Sequence, residues 1–246
     1  KPDFATAHNH LGIALNELGK PREAIISHEK ALKLNPDYAA AHNNLGVTLN
    51  GLGRFSEAAA SHEKALQLRP DFTDAHNNLG AALNQLGRFD EAVASFEMAL
   101  RLNPSYAEAY NNLGLSYTNA GKPEEAAEVF QKALQLRPDY AEAYYHQSRV
   151  KLYEHDDPQI ESMLGLLDAP ILSGLDRVYL NFALGNAFEH IDDYDKSFAC
   201  FVEGNRQRKK QLEPFTSVDQ AWFRQIEEEF SKNLYGLEGS KTSETF

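Results

Sequence analysis

The chain has 246 residues and a formal net charge of −12, with 36 Asp and Glu against 24 Lys and Arg. Binding of nucleic acid depends largely on basic side chains that neutralise phosphates, so this balance argues against a DNA- or RNA-binding module and against an anionic membrane surface as partner. No apolar run approaches the ~20 residues of a membrane-spanning helix, and the single cysteine, Cys200, excludes a disulfide framework. We therefore expect a soluble, cytoplasmic protein.

The first four residues match the ends of later repeats. Lys1-Pro2-Asp3-Phe4 is similar to residues 69–72 and 137–140. We interpret residues 1–4 as the remnant of an upstream repeat, and we expect the following helix to expose core positions such as Leu11 that such a repeat would cover.

Residues 5–140 contain four copies of one 34-residue pattern. Apolar residues spaced by three or four predict two helices per copy; a glycine ends the first, and a proline prevents continuation of the second. A single pair buries too little apolar surface to be stable, so the copies must stack. The repeated columns hold Leu-Gly ending at Gly12, Gly46, Gly80 and Gly114, a second glycine at 19, 53, 87 and 121, alanines at 24, 58, 92 and 126 and at 31, 65, 99 and 133, and prolines at 36, 70, 104 and 138.

This skeleton, with an aromatic residue or His before Asn-Asn-Leu-Gly, resembles the tetratricopeptide repeat (TPR). The resemblance implies an all-α fold, a right-handed superhelical solenoid whose first helices line a concave groove.

After Pro138 the pattern departs from these repeats. Residues 141–177 predict an irregular helical pair, because Gln147-Ser148 replaces Leu-Gly and because Asp156 or Asp157 can cap a helix that begins at Pro158. Residues 178–212 predict a further TPR-like pair, about three residues out of register. Residues 213–235 predict a C-terminal capping helix, and residues 236–246 a linker or tail.

The irregular half carries a second resemblance. It is similar to bacterial fusion proteins in which TPRs precede a sulfotransferase domain, which would continue past residue 246 into a phosphosulfate-binding loop of the Pro-Arg-Ser-Gly-Thr type. No such motif occurs in this sequence, so the sulfotransferase active site is expected to be missing from this chain. The residues that carry this resemblance are Ser148-Arg149-Val150-Lys151, Asp157-Pro158, Leu175-Asp176-Arg177, Asn181-Phe182-Ala183-Leu184-Gly185, Asp193-Tyr194-Asp195 and Glu203-Gly204-Asn205.

Asparagines recur at three positions of the first helices without a packing reason. Asn in a helix interior costs up to roughly 0.7 kcal/mol relative to Ala, and a carboxamide can grip both the N–H and the C=O of a bound peptide backbone. A similar Asn ladder holds extended peptide in the TPRs of O-GlcNAc transferase. The alternative is that these side chains bridge adjacent repeats. The predicted peptide-binding residues are Asn9, Asn43, Asn77 and Asn111; then His10, Asn44, Asn78, Asn112 and His146; then Asn16, Asn50 and Asn84.

The histidines do not predict a metal site. His8, His42 and His76 share a column with Tyr110 and Tyr144, and His28 and His62 share one with Phe96 and Phe130, which indicates packing with a polar edge. The sequence also contains no phosphate loop and no nucleophile elbow, so we expect no cofactor and no catalytic activity from this chain. Arg206, Arg208, Lys209 and Lys210 form either a solvated face or a docking surface for an acidic segment.

The expected function is a module that binds an extended polypeptide. Two alternatives remain: the substrate-presenting region of a sulfotransferase, and a scaffold that self-associates through its terminal repeats.

Overall fold

The computed structural model describes residues 2–211, and these form twelve helices. They are α1 (Pro2–Glu17), α2 (Pro21–Leu34), α3 (Ala39–Gly51), α4 (Phe55–Leu68), α5 (Thr73–Gln85), α6 (Phe89–Leu102), α7 (Ala107–Asn119), α8 (Pro123–Leu136), α9 (Ala141–Gln147), α10 (Pro158–Leu167), α11 (Gly174–His190) and α12 (Tyr194–Gln211). The predicted capping helix over 213–235 and the tail over 236–246 lie outside the described residues. Helix α1 begins at Pro2, inside the segment that we interpreted as the end of an upstream repeat.

The first eight helices form four hairpins with the same construction. Each hairpin turns at a glycine with φ between +70° and +73°, a backbone conformation that residues with a Cβ rarely adopt. These are the second glycines of the repeat, Gly19, Gly53, Gly87 and Gly121.

The glycine of the Leu-Gly pair sets how closely the two helices approach. A Cβ added at Gly46 would lie 2.5 Å from the His62 ring, and one at Gly114 would lie 2.5 Å from the Phe130 ring. Helices α11 and α12 repeat this arrangement, because a Cβ at Gly185 would lie 2.7 Å from Phe201. The ring of the second helix thus occupies the space that the missing side chain leaves.

The contacts between hairpins define an inner and an outer layer. Helices α1, α3, α5, α7 and α9 contact one another in succession, and α9 also packs on α11, whereas α2, α4, α6 and α8 pack mainly on the first helices to either side. The first helices therefore lie on the inner side of the curve. The observed architecture is the all-α solenoid that the repeats predicted.

The fifth pair is irregular because its signature positions carry polar side chains. Ser148 stands where the regular repeats have glycine, and its hydroxyl accepts a hydrogen bond from Asn186 Nδ2 at 2.9 Å. Helix α10 packs mainly on α11, and Asp157 caps it by accepting a hydrogen bond from the backbone N–H of Gln159 at 3.0 Å. Hydrogen bonds among the amides of Gln147 and Gln159, which are buried, and Gln131, which is partly buried, tie α10 to α8 and α9.

None of the helices within residues 2–211 is long and apolar enough to cross a membrane.

Candidate functional site

The inner face of the solenoid carries all three predicted columns, because each first helix repeats the same positions one step along the stack. The structure treats the three columns differently in burial and in hydrogen bonding.

The first column is buried between adjacent repeats. Its carboxamide oxygens accept hydrogen bonds from the repeat that follows: Asn44 donates to Asn9 at 3.1 Å, Asn78 to Asn43 at 3.2 Å, Asn112 to Asn77 at 3.1 Å, and His146 Nδ1 to Asn111 at 3.0 Å. The exposed fraction of Asn9, Asn43, Asn77 and Asn111 is between 1% and 8%. These four asparagines bridge neighbouring repeats, as the alternative interpretation of the ladder requires.

The second column is partly exposed toward the groove. Asn44, Asn78 and Asn112 each use one amide proton for the bridge, and within residues 2–211 their carboxamide oxygens accept no hydrogen bond. His10 is exposed at one end of this column. At the other end, burial lowers the pKa of His146 to about 4, with a smaller contribution from the charge of Arg149, so the ring is neutral at pH 7.

The third column contains carboxamide oxygens that lack partners. The Oδ1 atoms of Asn50 and Asn84 are buried and have no hydrogen-bond partner among the described residues, while Asn50 Nδ2 lies 3.4 Å from His62 Nε2. Asn16 lines a cavity of about 220 Å³ together with Asn44 and Val47. An orphaned buried acceptor costs about 1–3 kcal/mol, so these sites would gain from a donor.

Two buried histidines of the second helices donate hydrogen bonds to first-column asparagines. His28 Nδ1 donates to Asn9 Oδ1 at 3.0 Å, and His62 Nδ1 donates to Asn43 Oδ1 at 2.9 Å. Burial lowers the pKa of both rings to about 4. The predicted packing role with a polar edge also describes His42, whose Nε2 lies 2.9 Å from the carbonyl oxygen of Pro36.

An aromatic surface that the sequence analysis did not single out continues the groove beyond the asparagines. Tyr145 stands at the position of Asn111 in the next pair, and Phe182 stands there in the α11–α12 pair once the three-residue shift is applied. Together with Tyr179 they line a cavity of about 270 Å³. The sequence signal was the change of this column from Asn to aromatic residues.

Two other features bear on possible chemistry. A cavity of about 510 Å³ between α10, α11 and α12 is lined by Ile160, Phe188 and Cys200, and burial raises the pKa of the Cys200 thiol. No group of three or more His, Cys, Asp and Glu side chains that could hold a metal ion occurs in the part of the chain that the structure describes.

Comparison with protein families decides the class of this chain. Residues 3–71 match one tetratricopeptide-repeat model, and residues 50–107, 82–141 and 114–151 match another. The chain belongs to the tetratricopeptide-repeat family. No curated relative matches the sequence of this TPR protein.

Solved structures with the same TPR fold include pilF of Pseudomonas aeruginosa, which is 22% identical with a TM-score of 0.65 over 91% of this chain and 98% of that one. TTC0263, a thermophilic TPR protein of Thermus thermophilus, is 24% identical with a TM-score of 0.60 over 73% of this chain and 98% of that one. YrrB, a TPR protein described as having an unusual peptide-binding site, is 22% identical with a TM-score of 0.53 over 78% and 89%. At these identities the likeness establishes the fold.

Proposed function

We propose that this TPR chain is a protein-interaction module that holds an extended polypeptide along the inner face of the solenoid and performs no catalysis itself. The observation that supports this function best is the second column. The carboxamide oxygens of Asn44, Asn78 and Asn112 accept no hydrogen bond from residues 2–211, and they stand at equivalent positions of successive repeats. The peptide-binding site described for YrrB shows that a protein of this fold can bind a peptide.

The chemistry of the column suits a peptide backbone. Each of these carboxamides is already oriented by its bond to the preceding repeat, so little side-chain entropy is lost when a ligand binds. The free oxygen can accept a backbone N–H, and the remaining amide proton can donate to a backbone carbonyl. An extended segment, with a rise of ~3.3 Å per residue, can bind along such a ladder through its backbone alone, without recognition of its side chains.

Charged side chains are rare along this part of the groove, where Glu17 lines the cavity beside Asn16. The second and third columns of the four regular repeats contain no Asp, Glu, Lys or Arg, and the column between them holds Ile13, Val47, Ala81 and Leu115. A segment with apolar and small polar side chains therefore fits this part of the groove best. We expect micromolar affinity, because shallow contacts must offset the ordering of a flexible ligand.

The test is to pan a phage library of random dodecapeptides on the full chain and to measure a selected synthetic peptide by calorimetry. The variant Asn44→Ala/Asn78→Ala removes two carboxamides whose oxygens accept no hydrogen bond within residues 2–211, while Asn9 and Asn43 keep their histidine partners. It should weaken binding at least 10-fold. The control Gln67→Ala/Gln135→Ala removes two exposed carboxamides from the outer helices α4 and α8, and it should bind as the wild type does. Equal affinities for all three proteins would reject the proposal.

A second candidate rests on the resemblance of roughly residues 141–235 to TPR–sulfotransferase fusion proteins. In that case the groove presents a polypeptide substrate to a sulfotransferase domain outside this chain. The isolated chain should then transfer no sulfate from a phosphosulfate donor to a groove-binding peptide, and measurable transfer would contradict the expected absence of an active site.

A third candidate is self-association through an exposed terminal repeat. The side chains of Leu11 and Leu18 in the first repeat are 50% and 73% exposed, and such apolar surface favours contacts between copies. Light scattering at several concentrations should show a rise in mass with concentration, which Leu11→Glu/Leu18→Glu should abolish. A constant monomer mass would remove this candidate.

A further inference from the structure

The aromatic cavity at the C-terminal end of the ladder has the features of an anchor pocket. The ring centroids of Tyr145 and Tyr179 are 5.6 Å apart, and those of Tyr145 and Phe182 are 6.2 Å apart. Val178 and Leu175 complete the apolar wall. All three rings are partly exposed, so the surface that faces the cavity is accessible.

The cavity adjoins the C-terminal end of the proposed peptide path, because Tyr145 lines it and His146 ends the second column. His146 hydrogen bonds to Asn111 at the end of the ladder, and its ring centroid lies 5.5 Å from that of Tyr145. A chain that leaves the Asn112 carboxamide along the inner face therefore reaches the aromatic rings next.

The size and the charge of the cavity restrict what it can accept. A volume of about 270 Å³ lies below the ~300–1,000 Å³ of typical small-molecule sites, but it accommodates a single large side chain. Among the described residues that line the cavity, Arg208 is the one that carries a charge. The charges of Glu142 and Asp176 help burial to raise the pKa of Tyr179, and the charge of Arg208 opposes them. An incoming carboxylate is therefore favoured only where it meets Arg208 directly.

We propose that this pocket binds one aromatic side chain of the polypeptide held by the ladder, with a neighbouring carboxylate of that polypeptide paired to Arg208. The proposal rests on the peptide-binding function above and adds a sequence preference to it. Aromatic side chains and arginine dominate the energetics of protein interfaces when they meet a well-formed pocket. The ladder then supplies contacts that are independent of sequence, and the pocket sets which segment binds and in which register.

The experiment again uses random dodecapeptides panned on the full chain. Selected peptides should share a Trp, Phe or Tyr at one fixed position with Asp or Glu close by. Replacing that aromatic residue with Ala in a synthetic peptide should weaken binding roughly 10- to 100-fold, the range expected for an anchor residue. Arg208→Ala should weaken binding of the acidic peptide but leave a Gln- or Asn-substituted peptide unaffected.

A filling variant tests the pocket without removing core contacts. Leu175 lines the cavity and is 51% exposed, so Leu175→Trp should fill the cavity and leave the fold intact. This variant should weaken binding of the aromatic peptide as much as replacing the aromatic residue of the peptide with Ala does. The variant combined with the Ala-substituted peptide should show no further loss of affinity. The matched control, Leu102→Trp, replaces a leucine that is 40% exposed on α6, and it should bind normally.

The outcomes separate this inference from the proposed function. If Asn44→Ala/Asn78→Ala weakens binding while Leu175→Trp does not, the ladder binds peptide and the anchor pocket is wrong. If Leu175→Trp weakens binding while the asparagine variant does not, the pocket is an isolated site and the claim of one shared ligand is wrong. If Leu175→Trp leaves binding unchanged and lowers thermal stability, another part of the same chain fills the pocket, and the proposal is overturned.

Discussion

The asparagines of the first column differ in how many hydrogen bonds their carboxamide oxygens accept, and so in what remains when one donor is removed. Asn9 and Asn43 accept a hydrogen bond from a buried histidine as well as from the following repeat, whereas the bond from Asn112 is the one that Asn77 accepts within the described residues. Phe96 stands at the histidine position beside Asn77 and cannot donate. An acceptor that loses its last partner in a buried site pays the full desolvation cost.

Asn112→Ala should therefore destabilise the chain more than Asn44→Ala or Asn78→Ala. Orphaning the Asn77 oxygen costs about 1–3 kcal/mol, which the higher helix propensity of Ala offsets by up to roughly 0.7 kcal/mol. For Asn44→Ala and Asn78→Ala, the lost bond and the propensity gain nearly cancel, and we expect changes within about 1 kcal/mol. Urea unfolding followed by circular dichroism measures the order, and equal losses for the three variants would contradict it.

The buried histidines make stability depend on pH. The unfolded chain takes up protons as the pH falls below the ordinary histidine value of 6.5, while His28 and His62 stay neutral in the folded chain down to about pH 4. Stability is thus fully present above pH 6.5 and decreases between pH 6.5 and 4, by on the order of 3 kcal/mol per histidine.

His62→Phe should make this pH dependence shallower, because it removes one of the two titrating rings. The fold should tolerate the change, since Phe stands at this position in the third and fourth repeats. His28→Phe/His62→Phe should reduce the slope by about twice as much. Carboxylates titrate in the same window in all three proteins, so differences between unfolding free energies at pH 7 and pH 4.5 isolate the histidines. Parallel pH profiles for wild type and double variant would show that these rings are not neutral in the folded state.

The sequence contained the columns of the site but not the role of each column. Asn43 and Asn44 are adjacent on one helix, and periodicity alone assigns both to the inner region. Whether a carboxamide meets the groove or the next repeat depends on how the hairpins stack, since the bridging bonds join residues 35 positions apart. That geometry is a property of the packed repeats and leaves no separate local signal.

At the scale of helix pairs, replacing a helical glycine with alanine should change stability in opposite directions at two sites. One glycine packs against a ring of the partner helix, and the other faces open space. Gly114→Ala places a Cβ 2.5 Å from the buried Phe130 ring, and such overpacking typically costs about 1–3 kcal/mol. Gly165 lies within α10 and has no atom within 4 Å of an added Cβ. Gly165→Ala should therefore stabilise by up to about 1 kcal/mol through helix propensity.

Thermal unfolding of these two variants gives the sign directly. Both changes replace a helical glycine with alanine, Gly114 in the middle of α7 and Gly165 in the last turn of α10, and the methyl group meets a buried ring only at Gly114. A neutral Gly114→Ala would mean that the Phe130 ring can move away, and the close approach of α7 and α8 would then not be what fixes glycine at this column.

Helix pairs were predictable where the sequence repeats and less so where it does not. Four in-phase copies gave the hairpins of α1 to α8, since each position was seen four times. Gln147-Ser148 in place of Leu-Gly predicts the irregular pair, and Asp157 is one of the two capping residues that the sequence predicts. The network of Gln131, Gln147 and Gln159 was not foreseen, because its members lie 12 to 28 residues apart on three helices and no repeated spacing relates them.

At the scale of the molecule, the core of residues 2–211 divides into two clusters that meet at α7. The first extends from Leu49 to Leu113, and the second extends from Ala107 through the irregular pair to α11. Because each helix contacts only near neighbours along the stack, stability is close to a sum of repeat and interface contributions. A defect in one cluster should therefore be felt mainly in that half of the described chain.

Phe96→Ala tests this division of the core. Phe96 is fully buried in the first cluster, and loss of such a ring typically costs about 3–5 kcal/mol. Backbone amides of α3 to α6 should then exchange hydrogen much faster, while those of α9 to α12 keep most of their protection. Met163→Ala, at a fully buried position of the second cluster, should give the reverse pattern. Equal loss of protection in both halves for either variant would mean that the solenoid unfolds as one cooperative unit. In that case, a peptide bound along the ladder would stabilise α11 and α12 as strongly as it stabilises the repeats that it contacts.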